Sequence, residues 1–118
     1  MDGLQILNYS GEGYRTAFRY GSWRVAFLNW APRFTREGMT YLERHTDTDE
    51  IFVLLSGEAS LLMGDKAEAI PMHPGQLYAV QKNAWHNILV SRDAQVLIVE
   101  NENTGPENTE YIPFSVSP

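Results

Sequence analysis

Cysteine is absent from the 118 residues. That excludes a disulfide framework, a thiolate metal site and a cysteine nucleophile. It is compatible with a reducing cytoplasm, the expected location. No stretch approaches the roughly 20 consecutive apolar residues of a membrane span. The opening MDGLQILNYS lacks the basic region and apolar core of a secretory leader. Basic residues are few: nine Lys and Arg stand against fifteen Asp and Glu, for a formal net charge of −6. An acidic chain without a basic cluster is a poor nucleic-acid partner, because neutralising phosphates drives that affinity. Internal repeats, low-complexity tracts and any helical hydrophobic period of useful length are missing as well.

What remains is short β-type runs separated by turn chemistry. YRTAFRYG and SWRVAFLNWA come first, and APRF breaks the pattern. GMTYLER follows, then the polar turn HTDTD. EIFVLLSG is the clearest strand, with EASLLMGD as its hairpin partner. AEAIPM, QLYAVQ, HNILV and QVLIVEN complete the series, and one further edge strand is expected near Glu110 to Phe114. Hydrophobic residues make up 43% of the chain, enough for the core of one domain. The expected organisation is a single domain over 1–118: a lead-in segment over 1–13, a barrel core over about 14–101 and a polar tail over 102–118. Many short strands at regular spacing predict an all-β sandwich or barrel, a jelly roll among the options.

Strand parity adds a prediction about assembly. Alternate residues of a strand face opposite sides. Glu50, Phe52 and Leu54 share one face, and Ile51, Val53 and Leu55 share the other, so both faces are apolar beyond the first residue. QVLIVE is similar. A sheet with two apolar faces needs a cover on its outer side. The chain's own N-terminal segment is one candidate and a second copy the other; the expectation is a homodimer.

Polar residues interrupt this pattern at chemically suggestive places. Glu43 and His45 are two apart and share a strand face, Glu50 opens the next strand, and His86 opens HNILV. If their strands are neighbours, two imidazoles and two carboxylates meet in one cavity. That nitrogen and oxygen set suits a divalent Zn, Fe, Mn, Ni or Co ion. Asp47 and Asp49 read as turn residues, and His73 as a solvent-facing turn residue.

The residues around this set resemble the cupin superfamily. Gly38 precedes ERHTDTDEIFVLLSG, in which Glu50 is followed by six residues and then Gly57, as in the first cupin motif. HPGQLYAVQKNAWHNIL resembles the second motif, with Pro74–Gly75 opening it, Gln81 in place of a usual proline, and His86 in the histidine position. The resemblance covers roughly Met39 to Glu100. It implies a double-stranded β-helix of jelly-roll type, with metal ligands at His45, Glu50 and His86. Glu43 stands where the family carries its first metal histidine. It either ligates, which favours a divalent cation and disfavours an anionic substrate, or turns away to solvent or to Arg44 or Arg24.

By the same parity, a small-molecule cavity is expected to be lined by Tyr41, Phe52, Leu54, Tyr78, Trp85 and Ile88. Three functions follow from the resemblance. The first is a metal-dependent enzyme or binder of a small molecule, with Glu43 as fourth ligand or base. The second is a metal-free isomerase or epimerase of the sugar-nucleotide kind, using His45 or His86 with Glu50. Arg15, Arg19, Arg24 and Arg33 would then be available for a diphosphate. The third is a non-catalytic ligand-binding or sensor protein.

Overall fold

A computed structural model describes residues 2–115. Its ten strands are β1 (Tyr14–Tyr20), β2 (Trp23–Asn29), β3 (Tyr41–His45), β4 (Glu50–Ser56), β5 (Ala59–Met63), β6 (Glu68–Pro71), β7 (Tyr78–Val80), β8 (His86–Val90), β9 (Gln95–Asn101) and β10 (Thr109–Pro113). Short 3-10 turns at Pro32–Phe34 and Pro106–Asn108 are the helical elements among the described residues. None is long and apolar enough to cross a membrane.

The strands form two five-stranded antiparallel sheets, ordered β1-β2-β9-β4-β7 and β10-β3-β8-β5-β6. Each strand predicted from the sequence is present, with ends shifted by up to three residues. The jelly-roll expectation therefore holds: non-adjacent strands pair, and the two sheets face each other across one core. Ala26, Leu28, Phe52, Leu54, Val96 and Ile98 from the first sheet meet Leu61, Ile88 and Val90 from the second. Alternation is clean in β9, where Val96, Ile98 and Glu100 are buried and the intervening residues half-buried. Period-2 burial is what a sheet with one core-facing side requires.

Gly57 ends β4 with φ +72°, a left-handed conformation that favours glycine. A Cβ there would come within 2.6 Å of the Ala94 backbone nitrogen. The glycine after Glu50 thus lets the β4 end cross close to the turn before β9.

The outer face of the first sheet is apolar, as parity predicted. Its register aligns Val25, Val99 and Ile51 in one row and Phe27, Leu97 and Val53 in the next. Trp23 and Leu55 extend this face and are exposed. Residues 2–7 lie along one side of it, against Trp23, Val25 and Phe27, and do not bury Leu4, Ile6 or Leu7.

Candidate metal centre and cavity

The inner face of β3 presents Tyr41, Glu43 and His45. β10 pairs alongside it, setting Thr109 opposite His45 and Tyr111 opposite Glu43. On its other side, β8 sets His86 opposite Glu43. Glu50 comes from the facing sheet, at the start of β4. One ligand atom from each of Glu43, His45, Glu50 and His86 lies within 4.8 Å of the other three. Parity within strands and pairing between them thus bring together the four residues singled out in the sequence. Glu43 does not turn to Arg44 or Arg24: Arg44 pairs with Glu110 and Arg24 with Glu100.

The separations can be tested against a bound ion. His45 Nε2 lies 3.1 Å from Glu43 Oε2 and 3.1 Å from Glu50 Oε1; His86 Nε2 lies 3.0 Å from Glu50 Oε1 and 4.0 Å from Glu43 Oε2. Metal–ligand bonds of about 2.1 Å at right angles would space adjacent donors about 3.0 Å apart and opposite donors about 4.2 Å. His45 Nε2 is buried and makes no hydrogen bond of acceptable geometry, although two carboxylates are near. The far nitrogens are anchored. His86 Nδ1 donates to the Ala84 carbonyl at 2.9 Å, and His45 Nδ1 is 3.0 Å from Thr109 Oγ1. Anchoring one ring nitrogen orients the other as a ligand. The donor set fits a divalent ion.

The same closeness governs charge. Burial opposes a charge on His45, and the close carboxylates of Glu43 and Glu50 outweigh it, raising its pKa to about 10. His86 is pushed up in the same way, burial being overcome chiefly by Glu50. Burial works against the Glu50 anion, and the two imidazoles overcome it, holding its pKa below the ordinary carboxylate range. Glu100 goes the other way. Burial and the neighbouring Glu50 raise its pKa to about 8, against the pull of Arg24.

These groups open on a cavity of about 250 Å³, near the lower end of small-molecule sites. Tyr41, Phe52 and Ile88 line it together with Leu28, Phe34 and Ile98. Leu54, Tyr78 and Trp85 do not, which corrects the sequence reading. Trp85 precedes His86, so alternation sends it to the other side of the sheet, where it packs beside Leu42 and Leu62 under the Arg44 guanidinium. Leu54 shares the face of Glu50 but lies four residues along β4, about 13 Å away, inside the core. Tyr78 faces the core, and its hydroxyl accepts the His73 backbone N–H at 2.9 Å. His73 itself is exposed. Asp49 accepts the Lys82 backbone N–H at 2.8 Å, a turn role.

The sequence reading missed Glu100 and Thr109 as site residues. Glu100 had a signal, since it ends an alternating apolar strand on the buried parity, as Glu50 begins one. Thr109 had none, because its position depends on β10 pairing with β3.

Two facing antiparallel sheets around a cavity, with converging imidazoles and carboxylates, define a jelly-roll protein with a candidate metal centre. The sequence matches the cupin domain family over residues 34–100, more than half the chain, and the chain belongs to that family. Several solved structures share the fold. A cupin-2 domain containing protein from Shewanella frigidimarina has a TM-score of 0.62 at 17% identity, covering 80% of this chain and 85% of that one. Pac13 of Streptomyces, a nucleoside dehydratase solved with uridine, has a TM-score of 0.64 at 11% identity, covering 91% and 84%. An RmlC-like cupin from Methanocaldococcus jannaschii has a TM-score of 0.61 at 13% identity, covering 84% and 91%. At these identities the likeness is one of fold. No curated protein matches the sequence.

Proposed function

We propose that this single-domain cupin holds one divalent first-row metal through Glu43, His45, Glu50 and His86 and presents it to a small molecule in the barrel cavity. The observation that carries the reading is the convergence of one ligand atom from each of Glu43, His45, Glu50 and His86 within 4.8 Å of one another. Two carboxylates drawn together in a largely buried site are costly without a compensating charge, and a divalent cation between these groups supplies it. The nitrogen and oxygen donor set suits a first-row divalent ion such as Mn, Fe, Co, Ni or Zn. When bound, such an ion supplies Lewis-acid polarisation of a ligand oxygen. The chain's own part is to hold the imidazoles in the ligating tautomer, to exclude water with Phe34, Phe52, Ile88 and Ile98, and to keep a proton on Glu100 below about pH 8.

Glu100 also supports a second reading, metal-free proton transfer of the isomerase or dehydratase kind. A neutral carboxyl beside an ionised one is an acid and base pair within one cavity. A non-catalytic binder would use the same cavity without either chemistry.

The apolar outer face of the first sheet supports a homodimer. Two matched rows of Val, Ile, Leu and Phe, extended by Trp23 and Leu55, are what a second copy would cover. A cytoplasmic location is part of the same proposal, since nothing in a cysteine-free chain calls for an oxidising compartment.

Metal content separates the readings. Tag-free protein is analysed by plasma mass spectrometry beside His86→Ala and His73→Ala. Near-stoichiometric metal in wild type and His73→Ala, with little in His86→Ala, is expected. No metal in any of them after soaking with Mn, Fe, Ni and Zn would sink the metal reading and leave proton transfer or simple binding.

A further inference from the structure

Two arginines line the cavity, and their situations differ. Arg24 is fully engaged: Nε donates to the Tyr14 hydroxyl, Nη1 to the Glu102 carbonyl and Nη2 to the Glu100 carboxylate. Arg33 lines the same cavity and is exposed, with no hydrogen-bond or ion-pair partner among the described residues. Its guanidinium lies over the Phe34 ring at 4.6 Å and passes beside Gly13, 3.5 Å from an ideal Cβ there.

The backbone that carries Arg33 is braced. Pro32 starts the 3-10 turn, and the Thr35 hydroxyl and backbone N–H both donate to the Pro32 carbonyl. Gly38 N–H donates to Thr35 Oγ1, and Met39 N–H to the Thr35 carbonyl. A Cβ on Gly38 would overlap the Pro32 carbonyl, so only glycine lets the chain close this loop. Phe34, the next residue, is buried in the cavity wall. A braced turn thus holds an unpaired guanidinium at the cavity, with its ring contact already made.

We propose that Arg33 is the anion clamp of the cavity and that the natural ligand is a small monocarboxylate, its carboxylate on Arg33 and its other end toward the Glu43–His45–Glu50–His86 centre. This deepens the proposed function and rests on that reading for the charge at the inner end. A divalent cation cancels the two anions of Glu43 and Glu50, and the Arg24 donors are taken up by the Tyr14 hydroxyl, the Glu102 carbonyl and Glu100. Arg33 is then the cavity cation whose donors have no partner among the described residues. Its planar fork matches a carboxylate with two parallel hydrogen bonds. Tyr41 lines the same cavity as Arg33 and Glu43 and lies within the electrostatic reach of both. Tyr41 packs edge-on against Tyr111 with ring centroids 5.3 Å apart. The cavity volume limits the ligand to a short acid and does not suit a nucleotide diphosphate.

The test uses three matched pairs of probes: butyrate with butyramide, hexanoate with hexanamide, and benzoate with benzamide. Binding to the Zn-loaded full chain is measured by ligand-observed NMR titration, and metal content is assayed on the same samples. At least one acid should bind wild type about tenfold or more tighter than its amide, since charge-assisted bonds are roughly twice as strong as neutral ones. Arg33→Gln should abolish that preference while leaving metal content unchanged, and Arg33→Lys should keep part of it. Three results would overturn the clamp: no acid binding, no preference over the amide, or a preference that survives in Arg33→Gln, which would seat the carboxylate on the ion. Failure of the metal reading appears separately, as wild type without metal, and the comparison of wild type with Arg33→Gln still decides the clamp. Arg33 is exposed, so loss of fold is not expected; a melting curve for each variant checks this.

Discussion

In the metal-free protein His45 carries a proton with a pKa of about 10, and His86 is raised in the same direction. A metal takes the lone pair that this proton occupies, so binding must expel it. At pH 7 the His45 proton is held about three units above the ambient pH. At about 1.4 kcal/mol per unit, its removal weakens metal binding by about 4 kcal/mol, or about a thousandfold in apparent affinity. Each unit rise in pH below 10 should therefore strengthen binding about tenfold through His45 alone, and up to a hundredfold where His86 is also protonated. The sign follows from the raised pKa: protonated imidazole competes with the ion and competes less as pH rises. A calorimetric titration with Ni²⁺ or Zn²⁺ at pH 6, 7 and 8, in buffers of different ionisation enthalpy, reads both affinity and proton release. One to two protons released per ion at pH 7 is the expected result. Flat affinity across this range, with heats independent of buffer, would refute the reasoning and imply that the imidazoles are neutral or do not ligate.

Other perturbations probe the surroundings of the centre. Thr109→Val removes the hydroxyl 3.0 Å from His45 Nδ1 at nearly constant volume and should lower metal affinity 10–100-fold, measured by chelator competition. Glu100 has a folded-state pKa of about 8 against an ordinary value near 4.5, so its stabilising effect is full below 4.5 and is lost as pH rises through 8. The melting temperature of Glu100→Gln relative to wild type should therefore improve from pH 5 to about pH 8 and level off above it; a constant difference would mean that Glu100 is ionised throughout. Leu97→Arg places a charge in the middle of the apolar outer rows and should convert a dimer to monomer in sedimentation velocity. Wild type that is already monomeric at micromolar concentration would remove the dimer proposal.

The strand pattern was legible because a sheet residue's burial follows its parity. Turn chemistry marks strand ends, and alternation marks faces, so the strands and the inward set Glu50, Phe52 and Leu54 could be read in order along the chain. The four polar residues stood out for the same reason: His and Glu on core-facing positions contradict an apolar pattern unless something brings them together. Trp85 was misjudged because nearness in sequence to His86 is not nearness in space when alternate residues face opposite ways. Leu54 was misjudged because sharing a face says nothing about depth along a strand.

By itself the sequence determined the all-β class, the order and approximate extent of the strands, and which side chains share a face. These are local properties, set by a period of two and by residues that end strands. Tertiary structure alone decided which strands became neighbours. It put Thr109 behind His45 across 64 residues, joined Arg24 to Glu100 across 76, and left Arg33 at the cavity without a hydrogen-bond or ion-pair partner among the described residues while Arg24 was used up. No local rule carries that information. Strand pairing in a jelly roll is set by crossovers between distant segments, and a side chain's charge and partners depend on what those crossovers bring within about 3 Å.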